Sequence, residues 1–270
     1  MSPEVIIRLK DVAVTTGGRD ILSIDRLSIA RGERVAFIGN SGSGKTTLMR
    51  MLKGYVIPSR GEVEVLGAPV PLGDRRRMRV YHRQIGMIHQ HFDLIGRESV
   101  WQNVYHGRLG YLPFLNSLFT HFTGADLQIC TQAIKEVRLE EMLLRSARTL
   151  SGGEQQRVAI AGAFAANPDV IVADEAVSAL DVSVQAQVLN LLQEHQKEVG
   201  TSYIFISHDL AVIQHVCDEI AVMYLGTIVE KTTRRQLFNE PRHPYTKALL
   251  SAVLQNQESQ RTERIRLVGD

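Results

Sequence analysis

Apolar positions along the chain fall into short runs separated by stretches of helical spacing. Val5 to Val14 and Ile24 to Ile29 alternate or cluster as strands do, with Thr16-Gly17-Gly18 as turn residues between them. Arg34-Val35-Ala36-Phe37-Ile38 is a compact apolar run ending at Gly39, the pattern of a buried strand feeding a glycine-rich turn. Helical spacing follows from Thr46 to Lys53 and stops at Gly54. Gly61 to Gly67 alternates as an exposed strand, and Ile85 to His89 is another short strand. From about His91 to Thr149 strand signals fade, and Ala125 to Val137 and Glu140 to Arg145 predict a mostly helical insertion. After Arg157 the rhythm returns. Val158 to Ala166, Val182 to Val199 and Leu210 to Cys217 read as helices, and Asp169 to Ala173 and Ser202 to Ile206 as strands. Glu219 to Tyr224 and Thr227 to Glu230 form a hairpin about Gly226. Strands alternating with helices predict an α/β fold on a mainly parallel sheet.

Composition narrows the classes. The 270 residues are enough for one sizeable core with a subdomain. A net charge of +2 gives no global argument for nucleic acid or an anionic membrane. Cys130 and Cys217 are far apart without metal-ligand spacing, which argues against a disulfide framework and fits a cytosolic location. No apolar run approaches the roughly 18–20 residues that span a bilayer. Met1 to Ile7 lacks the basic start and long apolar core of a signal peptide. Work at a membrane would therefore need other chains. Arg75-Arg76-Arg77-Met78-Arg79 with Arg83 reads as a solvated helix face, so no nucleic-acid partner is expected. Tyr111, Phe114, Leu115, Leu118, Phe119 and Phe122 read as packing inside the helical insertion, or as a groove for a partner's short helix. The polar stretch 256–270 reads as a poorly ordered tail.

Chemistry concentrates in a few places. Gly39-Asn40-Ser41-Gly42-Ser43-Gly44-Lys45-Thr46 is a phosphate loop in its required context, strand before and helix after. Its glycines let backbone N–H groups turn onto phosphate oxygens, and the helix N-terminus adds partial positive charge. Lys45 is placed to reach the β- and γ-phosphates, and the Thr46 hydroxyl to ligate Mg²⁺, with Thr47 beside them. Val170-Ile171-Val172-Ala173 delivers Asp174 to a sheet edge, where a carboxylate can hold Mg²⁺ through water. Glu175, one step on, is the candidate general base. Gln90 follows a strand and can offer its amide oxygen to Mg²⁺ or water. His208, after Ile204-Phe205-Ile206-Ser207, can hydrogen-bond a γ-phosphate.

The order of these elements, with Leu150-Ser151-Gly152-Gly153-Glu154-Gln155-Gln156-Arg157 after Gln90 and Ser178-Ala179-Leu180-Asp181 before His208, resembles the ATP-binding cassette (ABC) ATPases over nearly the whole chain. The resemblance implies a P-loop NTPase with a RecA-like parallel-sheet core, an antiparallel β subdomain and a helical signature subdomain. It implies one domain over 1–255, with the helical subdomain inserted at about 91–157. It implies ATP and Mg²⁺, and a head-to-tail homodimer or pairing with a second ABC ATPase. ATP at Lys45 of one copy would be covered by Ser151, Gly152, Gly153 and Glu154 of the other, with Asp181 communicating between sites. Partners would be integral-membrane permease subunits and, indirectly, a periplasmic solute-binding protein, with the chain peripheral at the cytoplasmic face of the inner membrane. Two departures stand out: Thr15 and Thr16 occupy the place of an adenine-stacking aromatic, and Ala176 replaces the usual proline after the glutamate.

The halves point to different branches. Ser99 to Gly110, followed by Ser117-Leu118-Phe119, resembles ATPases of phosphonate importers. Ser178 to Gln187 and Arg242-His243-Pro244-Tyr245-Thr246-Lys247-Ala248-Leu249-Leu250 resemble oligopeptide-importer ATPases, a style shared by components linked to carbon–phosphorus lyase. Weighting the first half for partner choice, the expectation is import of phosphonate, phosphite or hypophosphite. The alternatives are an oligopeptide-type importer or a non-transport clamp on a phosphonate-degrading complex.

Overall fold

The run Arg34–Ile38 has no polar face, so it fits only a sheet covered on both sides. The computed structural model, which describes residues 4–112, 123–178 and 180–252, places it there. It is β3 of a six-stranded sheet with β6 (Ile85–Ile88), β7 (Val170–Asp174), β8 (Ser202–Ile206), β9 (Glu219–Tyr224) and β10 (Thr227–Thr233), in the order β10-β9-β3-β8-β7-β6. All neighbours are parallel except the β9–β10 hairpin at the edge. β1 (Val5–Thr16), β2 (Arg19–Ala30), β4 (Arg60–Val65) and β5 (Ala68–Pro69) form a separate antiparallel sheet in the order β2-β1-β4-β5.

The two-residue period of a strand divides the interior. Ala36, Ile38, Ile171, Ala173, Tyr203, Phe205, Ile220 and Val222 face the helical side. Val35, Phe37, Val170, Val172, Ile204, Ile206, Ala221 and Met223 face the antiparallel sheet and α1 (Lys45–Leu52). Both faces are apolar because both are covered, and the α/β, P-loop architecture expected from the sequence is the one found.

Between β6 and β7 the described residues form helices and turns: α3 (Val100–His106), α4 (Gly124–Glu136) and α5 (Gly152–Ala165), with three short 3₁₀ turns. α2 (Arg75–Gln84) precedes β6. α6 (Val182–Val199) and α7 (Leu210–Val216) flank β8, and α8 (Arg234–Asn239) and α9 (244–252) close the described chain. Among the described residues no helix is long and apolar enough to cross a membrane, and both cysteines are buried and free.

Three local readings need correction. The helix expected over Glu140–Arg145 is a single 3₁₀ turn, Glu140–Met142. Its apolar residues Met142, Leu143 and Leu144 are contiguous rather than spaced, so no one helix face collects them, and Leu144 is left 90% exposed. α5 begins at Gly152, well before Val158, because Ser151 caps it in spite of two glycines. The arginine run is only partly solvated. Arg79 donates to the carbonyls of Leu109 (3.3 Å), Gly110 (3.1 Å) and Leu112, and the Arg83 guanidinium lies 4.9 Å from the Tyr111 ring centre. These side chains tether α2 to the helical insertion. Tyr111 itself donates to the Ala166 carbonyl at 2.7 Å. Phe114, Leu115, Leu118, Phe119 and Phe122, and the polar tail 256–270, lie outside the described residues.

Among the described residues of the insertion, Arg108 and Asp126 form a buried ion pair. Arg108 Nε donates to Asp126 at 3.0 Å, its guanidinium stacks 4.0 Å from the Tyr111 ring centre, and a second nitrogen donates to the Ala165 carbonyl. Burial pushes the Asp126 carboxyl up, but the Thr123 hydroxyl and Arg108 outweigh it and hold it below the ordinary value. Removing one partner of such a pair strands the other charge. Asp126→Ala is expected to cost about 3–5 kcal/mol in chemical denaturation. Asp126 stabilises the fold above its unfolded-state pKa, and this is lost as pH falls through the lower folded value. The variant's acid-side stability profile should therefore be flatter than that of the wild type.

Candidate nucleotide site

β3 runs out of the sheet at Gly39. A Cβ there would collide with the Met223 carbonyl oxygen of neighbouring β9, so only glycine lets the loop leave at this point. The loop closes on itself through Ser43 N–H donating to the Asn40 carbonyl at 3.1 Å, and α1 starts at Lys45. Lys45 Nζ lies inside the loop. It donates to the carbonyls of Gly39 (2.6 Å) and Asn40 (3.0 Å) and to the Ser43 hydroxyl (3.2 Å). Burial lowers the Lys45 pKa, opposed by the charges of Glu175 and Asp174.

β7 brings the acids. Asp174 is its last residue, and Glu175 turns the chain away with a left-handed φ of 47° while its N–H still donates to the Ile206 carbonyl of β8 at 2.8 Å. The Glu175 carboxylate bonds His208 Nδ1 at 3.0 Å. Ser178 fixes the turn: its N–H and hydroxyl both bond the Glu175 carbonyl, at 3.1 and 2.9 Å. These bonds hold the turn with Ala176, rather than proline, at the position after Glu175. Residues 39–47, Asp174, Glu175 and His208 line one cavity of about 640 Å³. Burial raises the Asp174 pKa, the neighbouring Glu175 raises it further, and His89 and Lys45 pull it back.

Other candidates lie elsewhere. Gln90 does not line this cavity; its amide nitrogen reaches the Ser178 hydroxyl at 3.5 Å, one link from Glu175. Ser151 to Glu154 lie outside it too. They form a capping box at the start of α5, in which the Glu154 carboxylate accepts from Ser151 N–H (2.7 Å) and hydroxyl (2.9 Å). A Cβ on Gly153 would approach Val184 Cγ1 to 2.6 Å, so the signature packs on the first turn of α6, which begins just after Asp181. Thr15 is occupied with Asp20 and Ser59 and is also outside the cavity. Its apolar wall comes from Ile21, Ile38, Leu210 and Leu249. Ile21 carries no motif signal, and Leu249 falls in the Arg242 to Leu250 segment, which marked a family branch but not the nucleotide site.

Thr46, Asp174 and nearby Gln90 offer only hard oxygen donors, a set that fits Mg²⁺. Among the described residues no group of three or more His, Cys, Asp or Glu side chains could hold a metal. A cation here would take its remaining ligands from phosphate and water, as Mg²⁺ ordinarily does.

Comparison with known proteins shows the family and the fold. The ABC transporter family matches residues 22–178, and the oligopeptide/dipeptide transporter C-terminal region matches 229–269. The dipeptide transport ATP-binding protein DppF of Escherichia coli is 40% identical over 267 residues, covering 93% of this chain and 75% of its own length. A putative peptide import ATP-binding protein of Brucella ovis is 41% identical over 253 residues, covering 93% and 78%. Among solved structures, cbiO1 of Clostridium perfringens, part of the ABC transporter complex cbiONQ, superposes with a TM-score of 0.77 at 27% identity, over 88% of this chain and 92% of that one. The dimeric post-hydrolysis cassette MJ0796 bound to ADP and Pi superposes at 0.70 and 28% identity, over 85% and 99%.

These relatives overturn the expectation of phosphonate, phosphite or hypophosphite import, because the similar curated proteins are peptide importers. The physical reason lies in Ser99 to Gly110. Ser99 and Gln102 form a capping box, Asn103 is buried bonding Ile95, Glu98 and Ser99, and Val100, Val104 and Tyr105 fill the core. A Cβ on Gly107 would collide with the Gly162 carbonyl oxygen. That stretch is fixed by packing, which says nothing about a solute.

The raised Asp174 pKa has a measurable consequence. A carboxyl with a raised folded-state pKa favours folding below its unfolded value, and this advantage is lost as pH rises through the folded value. Without nucleotide, Asp174→Asn should therefore melt above the wild type at neutral pH, with the gap closing as pH drops below the ordinary carboxylate range.

Proposed function

The chain belongs to the ABC transporter family as an ATPase coupled to transport, and on that premise we propose that it powers the import of short peptides through separate membrane permease subunits. The observation that carries this reading is the match of its C-terminal region, 229–269, to the oligopeptide/dipeptide transporter C-terminal region. The peptide-import relatives, aligned over 93% of the chain, support it. The chain would act peripherally at the cytoplasmic face of the inner membrane, with a periplasmic peptide-binding protein supplying the solute.

The chemistry assigned to each residue follows from its place. ATP enters with its phosphates in the loop 39–46, and Lys45 exchanges its loop carbonyls for β- and γ-phosphate oxygens. Mg²⁺ would be held by Thr46 and Asp174, with Gln90 reaching it only by turning from Ser178 into the cavity, and would supply charge neutralisation on the phosphates. Glu175 takes the proton from water as the water oxygen attacks the γ-phosphorus. The bond from that phosphorus to the bridging oxygen breaks, and ADP and phosphate leave. His208, bonded to Glu175 at 3.0 Å, orients that carboxylate and faces the same cavity. Ser151, Gly152, Gly153 and Glu154 of a second copy, or of a paired second ATPase, close the site from outside, with Asp181 at the junction.

Reconstitution with permease subunits and binding protein in vesicles tests the substrate class. Dipeptides or oligopeptides should stimulate ATP hydrolysis and accumulate inside. Stimulation by phosphonates and not by peptides would overturn the reading. Glu175→Gln should slow turnover about 10²-fold or more, as loss of a general base does. It should also yield an ATP-dependent dimer on size-exclusion chromatography. Hydrolysis at the wild-type rate would remove Glu175 from the role of base.

A further inference from the structure

The Arg242-His243-Pro244-Tyr245 segment has served so far only to mark a branch of the family. Its position gives it work in the nucleotide site. The Tyr245 hydroxyl accepts a hydrogen bond from the Asn40 N–H at 3.1 Å, across 205 residues of sequence. Asn40 is the second residue of the phosphate loop. The peptide unit joining Gly39 and Asn40 is thus held at both ends, its carbonyl by Lys45 Nζ at 2.6 Å and its N–H by Tyr245.

The phenol is itself fixed from several sides. Glu230, on β10, accepts from the N–H groups of Arg242 (3.0 Å) and His243 (2.9 Å). His243 Nδ1 accepts from Tyr245 N–H at 3.1 Å. Pro244 begins α9, where its missing N–H costs nothing. Thr246 and Leu250 are buried, and the Tyr245 ring packs on Tyr224 at 4.3 Å between centres. Tyr224 ends β9, the strand beside β3. One and two turns further along α9, Leu249 and Ala252 line the nucleotide cavity.

We propose that Tyr245 is a positioning residue for the phosphate loop, holding the Gly39–Asn40 peptide in place when Lys45 leaves it for nucleotide. This inference rests on ATP binding at residues 39–46. Lys45 cannot bond the Gly39 and Asn40 carbonyls and the phosphates with the same three protons. On binding, the peptide loses its cation and keeps its phenol. Without the hydroxyl, the Asn40 N–H has no partner from α9, and the peptide is free to turn its carbonyl toward the phosphates. Its role is the same in substrate and transition state, so it belongs to uniform binding rather than to the chemical step.

Tyr245→Phe in the full chain removes the hydroxyl and keeps the ring. Calorimetry with Mg²⁺-ATP should show Kd raised about three- to tenfold, the worth of one hydrogen bond. KM for ATP should rise with it, while kcat at saturating ATP stays at the wild-type value. An unchanged Kd overturns the proposal. So does a fall in nucleotide-free melting temperature and kcat without a rise in KM, which marks a purely structural role. Should the variant fail to fold, hydrogen exchange in the unmodified protein decides. The Asn40 amide should be protected both without and with ATP, and free exchange in either state overturns the proposal. Lys45→Ala is the control: if it binds ATP as the wild type does, the nucleotide site is misassigned, whereas normal binding by Tyr245→Phe alone refutes only the role of Tyr245.

Discussion

Phe37, Ile206 and Asp174 stand in one row across β3, β8 and β7, paired by parallel register. Each strand leaves the sheet within two residues of that row. β3 becomes the phosphate loop at Gly39, β8 leads through Ser207 to His208, and β7 ends with Asp174 and Glu175. Parallel strands put every carboxyl end on one side, and the crevice beyond those ends is where α/β sheets bind ligands. The bond from Glu175 N–H to the Ile206 carbonyl carries the ladder one step past β7, so the proposed base is positioned by sheet geometry rather than by a free loop. A register shift of one residue in β7 would flip Val170, Val172 and Asp174 to the helical side and dismantle both cores and the site together.

What the sequence reveals follows from range. Short apolar runs, ending at Gly39 after β3, at Asp174 in β7 and at Ser207 after β8, identify these strands, because a strand covered on both faces leaves a compact signal. The phosphate loop is equally local. The start of α5 is hidden because Gly152 and Gly153 are weak helix formers, and the capping box that outweighs them acts across only three residues. Arg79 looks solvated in sequence because its acceptors are carbonyls 30 to 33 residues away. The cavity walls are hidden for the same reason: Ile21 is an ordinary apolar residue, and Leu249 a member of a C-terminal segment with no tie to the phosphate loop, until the fold sets them beside residues 39–47.

The phosphonate expectation failed differently. It was drawn from residues that are constrained, but by packing. Asn103 spends its side chain on three backbone carbonyls and one N–H of the preceding turn, and Gly107 lets α3 approach α5. Such positions stay similar wherever the same two helices must cross. The C-terminal segment is the stretch that the family comparison distinguishes; in the fold Glu230 accepts from two of its backbone N–H groups, the Tyr245 hydroxyl accepts from Asn40 N–H, and Leu250 is buried in the core.

Both halves of the proposed composite site hold their own polar groups in the absence of nucleotide. Lys45 bonds the carbonyls of its own loop, and Glu154 bonds the N–H and hydroxyl of Ser151 at the helix start. Lys45 is half-buried and the start of α5 is exposed; the loop carbonyls serve the one, and the Glu154 carboxylate serves the other as an anion where an anion is favoured. Under the proposed pairing of two copies, nucleotide would have to displace the loop carbonyls from Lys45 in one copy and re-aim the Ser151 hydroxyl of the other, so each half would exchange an internal partner for a phosphate oxygen as the composite site closes.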